Sequence, residues 1–203
     1  LPGLRPMSRR RSKEVLLAGG FTLIELLITV SILGILAGLT LVSFARNWED
    51  ERLKAASRET SAWLDEVRQI AIQQSLPCRI SVNGGTAELS LQPNPDNPSE
   101  FCAQNLKGSL ALRTAISNNS DLQLCSTSLN GADPTGVALD CATQASSTTS
   151  VVFTPRGTAS SDVLIKLQKP KASKPRCIAV LAPMGQIRSG KATETGCDFT
   201  TAF

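Results

Sequence analysis

From Phe21 to Phe44 the chain is apolar, with one ionisable side chain, Glu25. As a helix this run spans ~36 Å at about 1.5 Å per residue, enough to cross a hydrocarbon core of ~30 Å. It reads as a transmembrane segment, and whatever else the chain folds into must hang from it. A carboxylate at mid-membrane costs roughly 2.5–3.5 kcal/mol on insertion scales. The cost is smaller near the end of a span, where Glu25 lies, but it still calls for a reason. Two readings stand: the side chain snorkels to the interface, or it pairs with a cation when helices assemble. Its place close to a helix N-terminus favours a negative charge in either case. Gly34 and Gly38 are weak points in a soluble helix, whereas in a packed bundle they permit close approach.

The residues before the run set its orientation. Arg5, Arg9, Arg10, Arg11 and Lys13 face only Glu14 within residues 1–20, which therefore carry the whole formal charge of +4. A basic flank beside an apolar span stays in the cytoplasm, leaving everything after Phe44 in the periplasm. A secretory signal peptide places its cleavage site after the apolar core. Here the small pair Gly19-Gly20 precedes it, so a cut there would leave the span on the mature protein. The recorded chain opens on Leu1, and Met7 is an alternative start.

The junction Gly19-Gly20-Phe21-Thr22-Leu23-Ile24-Glu25 resembles the class III signal of type IV prepilins and type II secretion pseudopilins. The resemblance implies a prepilin peptidase that cuts between Gly20 and Phe21 and methylates the Phe21 amine. It also implies that Glu25 contacts the terminal amine of Phe21 or of a neighbouring subunit, and that other pilins or pseudopilins are the partners.

Apolar residues then recur at three- and four-residue spacing: Leu53, Ala56, Thr60, Trp63 with Leu64, Val67, and Ile70 with Ala71. Glu51, Arg58, Asp65 and Arg68 fall off this stripe. No Gly or Pro interrupts the chain between Gly38 and Pro77. One helix from Phe21 to Ser75 is expected, ended by Pro77 because a residue preceding proline avoids helical angles. Residues 21–44 form its transmembrane half and 45–75 an amphipathic half laid on a periplasmic domain of residues 76–203. That domain reads as strands. Cys78–Val82 and Thr86–Gln92 flank Asn83-Gly84-Gly85, a hairpin signal. Pro93–Glu100 is a loop. Leu110–Ile116 and Leu122–Cys125 are shorter strands. Ser126–Ser150, rich in Ser, Thr, Gly and Ala, reads as a long surface insertion. Val151–Thr154, Val163–Gln168 and Cys177–Leu181 close the set. The expected class is α+β, a long N-terminal helix packed on an antiparallel sheet.

All six cysteines, Cys78, Cys102, Cys125, Cys141, Cys177 and Cys197, follow the span and fall in the oxidising compartment. With no Cys-x-x-Cys pair and no histidine, structural disulfides are favoured over a metal or redox site. Six cysteines allow 15 pairings. Pairing of nearest neighbours is the expectation, Cys177 with Cys197 closing the terminal segment.

Val151-Val-Phe-Thr-Pro-Arg-Gly-Thr-Ala159, Val163-Leu-Ile-Lys-Leu167 and Arg176-Cys-Ile-Ala-Val-Leu-Ala-Pro-Met-Gly-Gln-Ile-Arg188 are similar to the end of the GspH/FimT family. That family of type IV pilin-like proteins comprises H-type minor pseudopilins of type II secretion and FimT- or FimU-like minor pilins. The shared pattern is strand, Gly turn, strand, loop, strand, second Gly turn with Arg. Taken by itself, Pro155-Arg156-Gly157 is a tight turn in a hairpin and needs no further role.

Catalysis finds no support. Without histidine there is no Ser-His-Asp or Cys-His arrangement, no Gly-rich phosphate loop follows a strand, and no cofactor or metal is implied. Two function classes remain. One is a minor subunit of a type II secretion pseudopilus or a type IV pilus. The other follows from the DNA receptors among FimT-like minor pilins, which carry Gly-Arg-x-Arg in the C-terminal loop. Gly185-Gln186-Ile187-Arg188 keeps Gly185 and Arg188 of that motif, with Gln186 in place of the first Arg. Lys169, Lys171, Lys174, Arg176, Arg188 and Lys191 lie in a stretch free of acids, and Lys169–Pro175 reads as an exposed turn. Gathered on one surface, they would bind the phosphates of double-stranded DNA.

Overall fold

The computed structural model describes residues 21–93, 102, 108–115, 121–144, 146–170, 172 and 174–200; the side chains of 39–47 and 115 are not among them. Gly20 and the rest of the leader, Lys171, Ile116 and most of the loop at 93–100 lie outside the described residues. The chain divides into two units, Leu1–Leu41 and Val42–Phe203.

One helix, α1, runs from Leu23 to Gln74. Its later part follows the periodicity: Leu53, Ala56, Thr60, Leu64, Val67 and Ala71 are buried, and Glu51, Arg58 and Asp65 face water. Ser57, also buried, widens the stripe with a small side chain. The helix stops at Ser75, which takes the left-handed conformation, and Pro77 follows at once.

The β domain is two antiparallel sheets. In chain order the described strands are β1 (Cys78–Asn83), β2 (Glu88–Gln92), β3 (Ser109–Ala111), β4 (Gln123–Ser128), β5 (Thr148–Phe153), β6 (Val163–Gln168), β7 (Arg176–Leu181), β8 (Gln186–Ala192) and β9 (Cys197–Asp198), the first sheet having the order β3-β2-β1-β5 and the second β4-β6-β7-β8-β9. β1 (Cys78–Asn83) and β2 (Glu88–Gln92) form the expected hairpin. Its turn covers four residues, 84–87, because Asn83 Oδ1 accepts the amide protons of Gly85 at 2.9 Å and Thr86 at 3.4 Å. β2 therefore begins at Glu88 and not at Thr86. The strand expected at Leu110–Ile116 is shorter. β3 covers only Ser109–Ala111, and a single helical turn, α2 (Leu112–Ala115), follows. The Leu112 amide donates to the Ala87 carbonyl, and Leu112 itself is buried.

β4 (Gln123–Ser128) and β5 (Thr148–Phe153) both extend into the stretch read as an insertion, which narrows to residues 129–147. That segment is more than a surface appendage. Leu129, Leu139 and Cys141 join Cys125, Leu164, Cys177, Ala179 and Cys197 in a second core on the outer face of the second sheet. Ile165, Ile178 and Val180 point the other way, into the main core with α1 and the first sheet. This two-sided burial explains the apolar run of β7 (Arg176–Leu181), which does not alternate. β6 spans Val163–Gln168. β8 (Gln186–Ala192) and β9 (Cys197–Asp198) complete the second sheet and were not expected from the sequence. Disulfides join Cys78 to Cys102, Cys125 to Cys141 and Cys177 to Cys197, the nearest-neighbour set.

Candidate functional site

The N-terminal stretch of α1 is built to start abruptly. Thr22 Oγ1 accepts the Glu25 amide proton at 3.3 Å, and the Thr22 carbonyl accepts that of Leu26 at 3.2 Å. Thr22-x-x-Glu25 has the spacing of a capping box, whose Thr contributes about 1 kcal/mol to helix stability. The sequence carried this signal, but the processing junction draws attention away from it. The cap places Glu25 in the first turn, where the helix dipole favours its charge. Among the described residues no side chain meets its carboxylate.

Beyond the cap the helix is bare. From Phe21, 79% exposed, to Leu36, every large apolar side chain is more than half exposed. The hydroxyls turn inward. Thr29 Oγ1 donates to the Leu26 carbonyl at 2.9 Å and Ser31 Oγ to the Leu27 carbonyl at 2.8 Å. A polar group that bonds its own helix needs nothing from its surroundings, as an apolar medium requires. At Gly34 and Gly38 an added Cβ would meet nothing. Among the described residues no helix is long and apolar enough to cross a membrane. The described side chains of the apolar run end at Gly38, short of Phe44.

The later part of α1 is held by a residue expected to face solvent. Arg68 is half-buried; its Nε donates to the Gly157 carbonyl at 2.8 Å and an Nη to the Met184 carbonyl at 3.3 Å. The two Gly turns of the C-terminal pattern thus meet on one guanidinium. They also meet each other, since the Ala159 amide donates to the Pro183 carbonyl at 3.0 Å. Gly157 and Gly185 are both left-handed, at φ 76° and 62°. A Cβ on Gly185 would come within 2.4 Å of the Gly157 carbonyl oxygen, and one on Gly157 within 2.8 Å of Ile72 Cδ1. Pro155-Arg156-Gly157 therefore does more than turn a hairpin: it seats the helix. Only its pairing with a second turn, distant in sequence, shows this.

Among the described residues, the basic side chains near the C-terminus differ in exposure and in partners. Lys169 is buried, its side chain 4% exposed, and its Nζ donates to Glu49 Oε2 at 2.5 Å. Arg176 is buried too, on the face of β7 that carries Ile178 and Val180, and among the described residues its Nε and Nη1 have no partner. The exposed turn expected at Lys169–Pro175 is instead braced on α1 from its first residue. The Lys174 amide donates to Asp50 Oδ1 at 3.3 Å. Arg188 and Lys191 sit on opposite faces of β8, because side chains alternate along a strand. Arg188 lies opposite Ala179, and Lys191 opposite Arg176. Lys166 is likewise engaged, its Nζ donating to the Leu139 carbonyl at 2.6 Å. Of the residues proposed for DNA, Lys174 and Arg188 are exposed, Lys191 is half-buried, and Lys169 and Arg176 are withdrawn from solvent.

The insertion is tied at its tip. Asp133 Oδ1 accepts from the Thr135 amide at 2.9 Å and from Thr135 Oγ1 at 2.8 Å, capping a 3-10 turn at Pro134–Gly136. These bonds, the backbone one foremost, hold the Asp133 carboxyl below the ordinary range, with the Arg188 charge assisting and slight burial opposing. A Cβ on Gly196 would come within 1.9 Å of the Thr135 carbonyl oxygen, so the insertion lies directly on the backbone leading into β9. Among the described residues no three His, Cys, Asp or Glu side chains gather as metal ligands would.

Residues 17–41 match the model of the prokaryotic N-terminal methylation motif. No curated protein sequence matches the chain. Among solved structures, the chain is similar to the minor pseudopilin EpsH from the Type 2 Secretion System of Vibrio cholerae. The identity is 12% and the TM-score 0.48, with 69% of this chain and 97% of that one covered. It is also similar to the type IV minor pilin FimU of Pseudomonas aeruginosa, at 13% identity and a TM-score of 0.45, covering 76% and 98%.

Proposed function

We propose that this chain is a minor pilin or pseudopilin of the GspH/FimT type, a structural subunit that takes part in assembling a type II secretion pseudopilus or a type IV pilus. One observation carries the reading. A methylation motif at residues 17–41 overlaps the start of a capped helix whose large apolar side chains up to Leu36 are all more than half exposed. Prepilin peptidase cuts between Gly20 and Phe21 and methylates the new amine. Residues 21–44 hold the subunit in the inner membrane, and the domain beyond lies in the periplasm. The cap at Thr22 then sits on the second residue of the mature chain, which keeps the Glu25 carboxylate within the first turn, close to that amine. In the filament the carboxylate meets the amine of a neighbouring subunit. Both charges are neutralised there, which offsets the cost of burying either.

Intact mass and N-terminal sequencing of the protein from membranes test the processing. A mature chain beginning at methylated Phe21 is expected in cells with the peptidase, and an uncut chain in cells without it. An uncut chain in both removes the proposal. Glu25→Ala tests assembly: it should insert normally and fail to restore pilus formation or secretion to a deletion strain. Full restoration would show that Glu25 has no role in assembly.

A further inference from the structure

Trp48 lies one helical turn beyond Phe44 and is 54% exposed, while Trp63, the other tryptophan, is buried. A large aromatic left in water needs a reason. The Arg52 guanidinium stands 5.5 Å from the centroid of its ring, so the indole keeps a cation beside it and an apolar face. That combination suits the boundary between lipid tails and headgroups, where Trp is enriched and basic side chains meet phosphates.

The β domain brings a further cation to the same level. The segment between β6 and β7 is fastened to the turn of α1 that follows Trp48, through Lys169 on Glu49 and the Lys174 amide on Asp50. These contacts leave the Lys174 side chain exposed at the end of the domain that carries Trp48 and Arg52. They also engage Asp50 and Glu49, which Arg52 Nη1 approaches at 3.9 Å as well, while Glu51, the exposed acid of this turn, pairs with Lys54 at 3.7 Å. We propose that this end of the domain rests on the phospholipid headgroup layer, with Trp48 as its aromatic anchor and Arg52 and Lys174 on the lipid phosphates. The inference rests on the membrane-anchored reading above. It adds that the anchor fixes how deep the helix sits and how the domain stands on the bilayer.

The test uses the full chain reconstituted in phosphatidylcholine vesicles, with and without phosphatidylglycerol. A fraction of the phosphatidylcholine is brominated either near the headgroup or deep in the tails. Tryptophan emission should be quenched by the shallow bromines more than by the deep ones. Trp48→Phe should lose this quenching and leave only the unquenched emission of Trp63. Phosphatidylglycerol should deepen the quenching, and Lys174→Gln should cancel that gain. Protein that floats with the vesicles but shows no quenching overturns the anchor and leaves the membrane span intact. Quenching strongest from deep bromines overturns the headgroup placement. An unchanged gain in Lys174→Gln removes the lysine from the proposal. Failure to float overturns both the anchor and the anchored reading beneath it.

Discussion

Leu27 and Leu64 belong to the same helix and are chemically identical, yet one is 57% exposed and the other fully buried. The early stretch of α1 is apolar on every side, and the later stretch only along a stripe. A stripe can be satisfied by one partner, and the chain supplies it in two sheets and a pair of glycine turns. A helix apolar all round needs a surrounding medium, which no single domain of this size provides. The contrast separates what the chain completes alone from what, on the proposed function, it leaves to lipid and to neighbouring subunits.

The strongest way to break this contrast is to separate the parts. On detergent-phase separation the full chain should enter the detergent phase, and a fragment from Arg46 onward the aqueous phase. A fragment that follows the detergent would mean that the later stripe is not covered by its own domain. Next in size is a matched pair of substitutions. Leu64→Ala should lower the unfolding free energy of the domain by about 3 kcal/mol, and Leu27→Ala should leave it within about 0.5 kcal/mol. Denaturant melts of the two variants in the same detergent compare them directly.

A smaller effect is expected at the helix seat. Gly185→Ala forces a side chain into a left-handed backbone position against the Gly157 carbonyl and should cost about 2 kcal/mol. Hydrogen exchange should quicken in α1 around Arg68 and stay unchanged near Leu27. The smallest effect lies away from the helix. Asp133 titrates below its ordinary value in the folded chain. Its contribution is thus complete above the unfolded carboxylate pKa and is lost as pH falls through the folded one. Asp133→Asn should lower the neutral melting point slightly and flatten the acid side of the stability profile below about pH 4. It should spare both stretches of the helix.

The helix was legible because its signals are local: an uninterrupted periodic run with a proline just past its end. The hairpin at Asn83-Gly84-Gly85 was legible for the same reason, although the side chain of Asn83 lengthened the turn. β8 was missed because Gln186-Ile-Arg-Ser-Gly-Lys-Ala192 offers little apolar alternation and earns its place by pairing with β7. Lys169 reads as exposed because lysines around two prolines usually are. Glu49, which draws Lys169 inward, lies far away in sequence, and nothing near Lys169 announces it. Arg68 is the same case reversed, a helix charge whose partners are carbonyls of two distant turns. In each case the missing information was a long-range pairing.

The order of the three disulfides carries a last consequence. Each bridge joins neighbouring cysteines, with separations of 24, 16 and 20 residues, and none encloses or crosses another. On the proposed topology the domain leaves the cytoplasm N-terminus first. When Cys102 emerges, its partner Cys78 is the only cysteine already outside, and the same holds in turn for Cys141 and Cys197 once the earlier bridge has closed. An oxidase acting on the emerging chain would therefore make the native set without an isomerase to correct it. The domain can be sealed one loop at a time, at the pace of its own export.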